Sequence, residues 1–273
     1  MNTPIDPVTH RIAHLRIDVL SDNALPEPWQ AEHGLSLLID TGAARVLMDT
    51  GQGAAFAHNC SLAQPDFAAL DAVVLSHGHY DHGGNLAPVL AQTTAPFFSH
   101  RDVHVPRWSL RPDALPKYIG LSREALDAIS ALPAARRCAV GDIAQVAKGV
   151  FAVSDIPRIA DYEDAGDQLY LDEAGQTPDP VSDDLSLFVP TPKGHVIITG
   201  CCHAGLVNTV THIQRHHPGP VFAIIGGFHL SAASHPRILR TAAALKPHGV
   251  QQLVPMHCTG ALAGQMLKKH LFA

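Results

Sequence analysis

The chain has 273 residues, 46% hydrophobic and 16% charged, which is enough apolar material for a core and too little charge for a disordered chain. Its formal charge is -6 and no Lys/Arg run exceeds two, which excludes a basic face for a nucleic-acid backbone. Five cysteines in so long a chain are no disulfide framework, the opening has no apolar signal core, and no stretch approaches the ~20 apolar residues of a membrane span. The expectation is a reduced, cytoplasmic protein without a membrane partner.

Residues 14–20 are predicted as a strand, and 34–40 (GLSLLID) and 45–49 (RVLMD) as a hairpin about the turn Thr41–Gly42. Residues 72–76 (AVVLS) are an apolar run suited to a strand buried on both faces. A helix over 85–92 and a strand over 96–99 follow. From about 101 to 181, prolines at 106, 112, 116, 133, 157, 178 and 180 break the pattern into short pieces. One helix is predicted there, over 122–132, without the capping-box glutamate three residues after Ser122. This region reads as an inserted lid. Strands at 185–189, 196–199, 221–225 and 251–254 resume the alternation, with helices at 206–215, 236–246 and 261–270. With no repeat and no linker, the expectation is one α/β domain over 1–273, with layered sheets and helices outside.

Nineteen histidines are the compositional outlier, and their spacing gives them meaning. The apolar run at 72–76 leads into Ser76-His77-Gly78-His79-Tyr80-Asp81-His82-Gly83-Gly84. In extended chain, residues two apart point the same way, so His77 and His79 can reach one ion together. Asp81 and His82 follow where the chain turns, and their divergence suits a neighbouring ion. Three imidazoles and a carboxylate make a mixed N/O ligand set. Three later strands end the same way, in TGCCHAG, GGFHL and MHCTG, which brings His203, His229 and His257 to strand ends, where open α/β sheets gather ligands. No G-x-S-x-G elbow, G-x-G-x-x-G turn or P-loop is present.

The run H-x-H-x-D-H after an apolar strand, preceded by Leu47-Met48-Asp49-Thr50-Gly51, resembles the metallo-β-lactamase superfamily. That resemblance implies a four-layer αββα sandwich with a dinuclear metal site at the sheet edges. It implies His77, His79 and His203 as ligands of a first ion and Asp81, His82 and His257 as ligands of a second. Asp49 would be the carboxylate beneath the site that orients the ligands. EHGLS at 32–36, SHGHYDHGGNL, TGCCHAG, GGFHL and HCTG are together similar to the dihydropterin–ribofuranosylaminobenzene-phosphate synthase branch. One departure stands out: most dinuclear members bridge their ions with an Asp where this chain has GGFHL, and residues 221–231 contain no Asp.

The expected function is a metal-dependent hydrolase using water activated by two divalent ions on a phosphoester, lactone or related small substrate. Zinc is the favoured ion, with iron or manganese as alternatives. Asp81 and His229 are the catalytic candidates, and His33 and His229 the candidate substrate contacts. Arg101, Arg107, Arg111 and Lys117 in the insertion are candidates for a phosphate or carboxylate. The branch implies an alternative: a transferase that joins a dihydropterin diphosphate to a ribosylated aminobenzene, with Tyr80, Trp108, Tyr118 and Phe228 available for stacking. A third reading is a metal or ligand sensor without catalysis. Cys201, Cys202 and Cys258 sit beside ligand positions and are expected to pack there, with a catalytic thiol as the alternative, and His212, His216, His217 and His248 to lie on helix surfaces or in turns without a role. No partner protein or oligomeric state is indicated.

Overall fold

Val46, Leu47 and Met48, and every residue from Ala72 to Leu75, are fully buried. A strand hides every side chain only when both faces are covered, and the architecture is built to do this. The computed structural model describes residues 14–166 and 168–273. The chain lays down β1 (Arg16–Ser21), β2 (Ser36–Asp40), β3 (Arg45–Met48), α1 (Ala54–Ala63), β4 (Ala72–Val74), α2 (Tyr80–Gly83), α3 (Leu86–Ala91) and β5 (Phe97–His100). Two short strands follow, β6 (Trp108–Ser109) and β7 (Lys117–Tyr118), then α4 (Arg123–Ala131), β8 (Arg137–Val140), β9 (Ile143–Ala147) and β10 (Val150–Val153). The last part comprises β11 (Leu169–Tyr170), β12 (Ser186–Thr191), β13 (Gly194–Thr199), α5 (Leu206–His216), β14 (Val221–Gly227), α6 (His235–Leu245), β15 (Gln252–Met256) and α7 (Ala261–Leu271).

Two six-stranded sheets result, ordered β1-β2-β3-β4-β5-β8 and β15-β14-β13-β12-β10-β9. Each is antiparallel on one side and parallel on the other: β3-β4-β5-β8 and β13-β14-β15 are the parallel parts. Parallel neighbours need crossovers, and the helices supply them. Leu37, Ile39, Val74, Leu187 and Ile198 fill the space between the sheets. Phe56, Leu75, Val89, Phe97 and Ala125 pack α1, α3 and α4 on the first sheet. Val210, Ile213, Ile224, Ala242 and Leu267 pack α5, α6 and α7 on the second. Helix, sheet, sheet, helix: the fold is the expected αββα sandwich.

The stretch 101–181 is not a single insertion. Within it, α4 packs on the first sheet, β8 is that sheet's edge strand, and β9 and β10 belong to the second. Only the flanking pieces stand outside, joined as a small sheet ordered β11-β6-β7. The prolines explain the difference, because residues 134–156, which carry β8 to β10, contain none. At α4, Ser122 caps without a capping box, its Oγ accepting from the Ala125 N–H at 3.1 Å.

Candidate metal centre

Five parallel strands end at one edge of the sandwich, and a candidate residue follows each. Asp49 follows β3, His77 lies three residues beyond β4, and His203, His229 and His257 come after β13, β14 and β15. The loop after β4 is held from below and from the side. Asp49 Oδ1 accepts from the Ser76 N–H at 2.7 Å, and its Oδ2 accepts from Ser76 Oγ at 2.7 Å and from His82 Nδ1 at 2.6 Å. Ser76 Oγ stands 3.0 Å from His77 Nδ1. One carboxylate therefore orients two imidazoles, the place the resemblance implied for Asp49. Between His77 and His79, the Gly78 N–H donates to Asp183 Oδ2 at 2.8 Å. A Cβ on Gly78 would sit 2.1 Å from the Val103 carbonyl oxygen, so no other residue lets the loop lie so close.

The six expected ligands converge in two groups. His77 Nε2 and His79 Nδ1 are 2.8 Å apart, and His203 joins them with one ligand atom each within 4.8 Å. Asp81 Oδ2 is 3.3 Å from His257 Nε2 and 3.9 Å from His82 Nε2, and the two Nε2 atoms are 3.3 Å apart. A triangle of that size matches ligands about 2.0–2.2 Å from one ion in tetrahedral geometry. All six residues are buried. Outer partners fix the rings: His203 Nδ1 donates to the Ala165 carbonyl at 3.0 Å, and His257 Nδ1 donates to Asn23 Oδ1 at 2.7 Å. Both Nε2 atoms are thereby left facing the centre. His203 Nε2 and His79 Nε2 are buried and have no hydrogen-bond partner. Buried imidazole nitrogens without partners cost free energy unless something fills the place, and this donor set fits divalent ions.

Electrostatics point the same way. Burial, then neighbouring imidazoles, push His77 and His203 well below the usual histidine range; burial leads for His79 too. Neutral rings are the form that binds metal. Burial would raise Asp81, but His82, then His257 and His33, hold it well below the carboxylate range. His82 is lowered by burial yet pushed up to about 9 by Asp49 and Asp81.

The backbone is strained here. Asp49, Cys202, His229 and His257 adopt φ of 62°, 59°, 48° and 45°, in the left-handed region that non-glycine residues avoid at a cost of about 1–2 kcal/mol each.

His33 and His229 also reach the site. His33 Nε2, half-exposed, lies 3.0 Å from Asp81 Oδ2. The ring of His229 lies 4.3 Å from that of His203, and its Nδ1 is buried without a partner. Above them opens a cleft of about 540 Å³, lined in part by Tyr80, Arg111, Leu115 and Lys117.

Several candidates fall elsewhere. Arg107 is not available to substrate: it is buried, and its guanidinium clamps Asp183 at 2.6 and 2.9 Å and Asp179 at 2.8 Å. Arg101 pairs with Asp155 outside the site. Phe228 is core, and Trp108 and Tyr118 pack edge-to-face on each other. His212 and His217 are buried rather than on helix surfaces. Cys201, for which packing is the favoured expectation, has its Sγ 3.2 Å from His82 Nε2, inside the centre. The available signal is its place beside His203 in the loop that follows β13.

A model of the metallo-beta-lactamase superfamily matches residues 29–222. The chain is 29% identical to the 7,8-dihydropterin-6-methyl-4-(beta-D-ribofuranosyl)-aminobenzene-5'-phosphate synthase of Methanocaldococcus jannaschii, over 94% of this chain and 91% of that protein. Among solved structures, it is similar to Tm1679, a metal-dependent hydrolase of the beta-lactamase superfamily, with a TM-score of 0.79 and 28% identity over 95% of this chain and 94% of that one. YhfI from Bacillus subtilis, at 14% identity, has the same fold, with a TM-score of 0.54 over 94% of this chain and 91% of that one.

Proposed function

The chain belongs to the metallo-β-lactamase superfamily, and we propose that within it this protein is a metal-dependent hydrolase of a phosphoester, a lactone or a related small substrate. His77, His79 and His203 would hold one divalent ion and Asp81, His82 and His257 a second, with zinc favoured by the nitrogen-rich set. Ions bound there supply a water acidic enough to ionise near pH ~7 and polarise the oxygen under attack. The protein's own groups do the rest. Ala165 and Asn23 fix the tautomers of His203 and His257, so each ring keeps Nε2 toward the centre. His33 holds the Asp81 carboxylate in place at 3.0 Å. The uncommitted Nδ1 of His229 is available to the substrate's oxyanion or leaving group. Lys117, whose Nζ donates to the Tyr80 hydroxyl at 2.9 Å, and Arg111 give the cleft a cationic rim that suits a phosphate or carboxylate.

The observation that carries this reading is the convergence of six buried donors, with the unpartnered Nε2 of His203 turned toward the centre. The test is hydrolysis of a panel of phosphoesters and lactones by metal-loaded protein. Activity should vanish in His79→Ala and in Asp81→Ala, and full activity in either variant overturns the proposal.

A second reading is favoured by the synthase relative, which aligns over nearly the whole chain. On that reading, the same residues bind a phosphorylated substrate and no water attacks. Incubation with a dihydropterin diphosphate and a ribosylated aminobenzene phosphate, followed by mass detection of a condensed product, separates the two.

A further inference from the structure

We infer that the Cys201 thiol is a metal ligand shared between the two groups, in place of the carboxylate that the end of β14 lacks. The inference rests on the metal reading above. The gap comes first. β14 ends in Gly227 and continues as Phe228-His229, with no Asp between 221 and 231. Of the two carboxylates at the centre, Asp49 has both oxygens committed beneath it to Ser76 and His82. Asp81 lies to one side, among His33, His82 and His257. Neither of these two carboxylates joins the two groups.

Cys201 occupies the junction. Its Sγ is 3.2 Å from His82 Nε2, and it lies within 4.8 Å of ligand atoms on His77 and His82, on His203 and His229, and on His257. It therefore lies beside both ligand sets, in contact with His82 of one of them. The neighbouring thiols differ. Cys202 belongs to the apolar cluster with Val210 and Phe228, whereas Cys201 is in none of the three apolar clusters. Cys258 is engaged by backbone: its Sγ donates to the Cys201 carbonyl at 3.6 Å and accepts the His229 N–H at 3.3 Å. Cys201 is 4% exposed, with ligand atoms of five imidazoles and the Cys258 thiol near its sulfur, a place where apolar packing alone gives no reason for a thiol. A thiolate can bind two ions at once, and its softness selects zinc, cobalt or iron over magnesium and manganese. On coordination, the thiol proton leaves to solvent and the sulfur lone pairs bind metal.

The experiment loads the full-length protein with cobalt(II) and compares wild type with Cys201→Ser, Cys202→Ser and Cys258→Ser. Bound cobalt is counted by elemental analysis, and the near-ultraviolet thiolate-to-cobalt charge-transfer band is recorded. The band is expected in wild type, Cys202→Ser and Cys258→Ser. In Cys201→Ser it should be absent, and the cobalt should be at least ~10-fold easier to strip with a chelator. Zinc-edge X-ray absorption on wild type needs no variant and should contain sulfur at about 2.3 Å. Cobalt bound without the band, a band that survives Cys201→Ser or is lost only in Cys258→Ser, or a zinc shell without sulfur overturns the inference and leaves the metal reading standing. Wild-type protein that binds no cobalt and no zinc overturns the metal reading itself.

Discussion

Replacing Arg107 with alanine removes a cation whose work is structural, and the consequences can be followed into the metal site. The guanidinium is 2% exposed and makes three short charge-assisted bonds, to Asp183 at 2.6 and 2.9 Å and to Asp179 at 2.8 Å. Both carboxylates are buried, so truncation strands two acids away from water. Breaking a buried pair by deleting one partner costs about 3–5 kcal/mol, a large share of the ~5–15 kcal/mol that holds a typical domain folded. Asp183 Oδ2 also accepts the Gly78 N–H, so the loop carrying His77 and His79 loses its side anchor and metal affinity should fall with stability. Burial already raises the Asp183 pKa against the pull of Arg107, and without Arg107 it rises further. The penalty should therefore shrink at acid pH, where the stranded acid takes a proton. Urea denaturation of metal-free Arg107→Ala at several pH values, with chelator competition for zinc, measures both effects. Arg107→Lys should recover only part of the loss, because an ammonium cannot make the fork. Stability within ~1 kcal/mol of wild type at neutral pH, with unchanged metal affinity, would refute this account.

Three further outcomes follow from the same geometry. Asp49→Asn keeps the shape but weakens the hold on His82 and, through Ser76, on His77, and should lower metal affinity about 10–100-fold in chelator competition. In the metal-free protein, His82, pushed up to about 9, is charged at neutral pH, and an ion must displace its proton. Apparent zinc affinity should accordingly climb, by up to about tenfold per pH unit, until it levels near pH 9; a flat profile between pH 7 and 9 would contradict this. Asp184, pushed by burial to about 6 from an ordinary 3.8, binds its proton more tightly folded than unfolded. Its contribution is therefore full below about pH 4 and lost as pH rises through about 6, worth up to about 3 kcal/mol. Denaturation curves across that window should be shallower in Asp184→Asn than in wild type by this contribution.

Much of this was legible along the chain because the ligands cluster at strand ends. The H-x-H-x-D-H run and the His after each of three apolar strands announce both the strands and the edge where they stop. What was hidden depended on partners distant in sequence. Helix α1 has no local cap of its own; the carboxylate of Glu32, more than twenty residues earlier, accepts the N–H groups of Gly53, Ala55 and Phe56. Arg107 looked like a substrate residue because its acidic partners lie more than seventy positions away. Strands β8 to β10 were lost among prolines that flank them. Cys201 reads as packing along the chain because burial and metal binding ask for the same residue type, and only the converging histidines tell them apart.

Two adjoining divalent-metal sites built from six buried side chains must each depend on their own ligands. Zinc per chain, counted after dialysis of wild type, His79→Ala and His257→Ala against buffered zinc, tests this most directly. Two ions are expected in the wild type and one in each variant. A wild type that retains none, or variants that retain both, would contradict it.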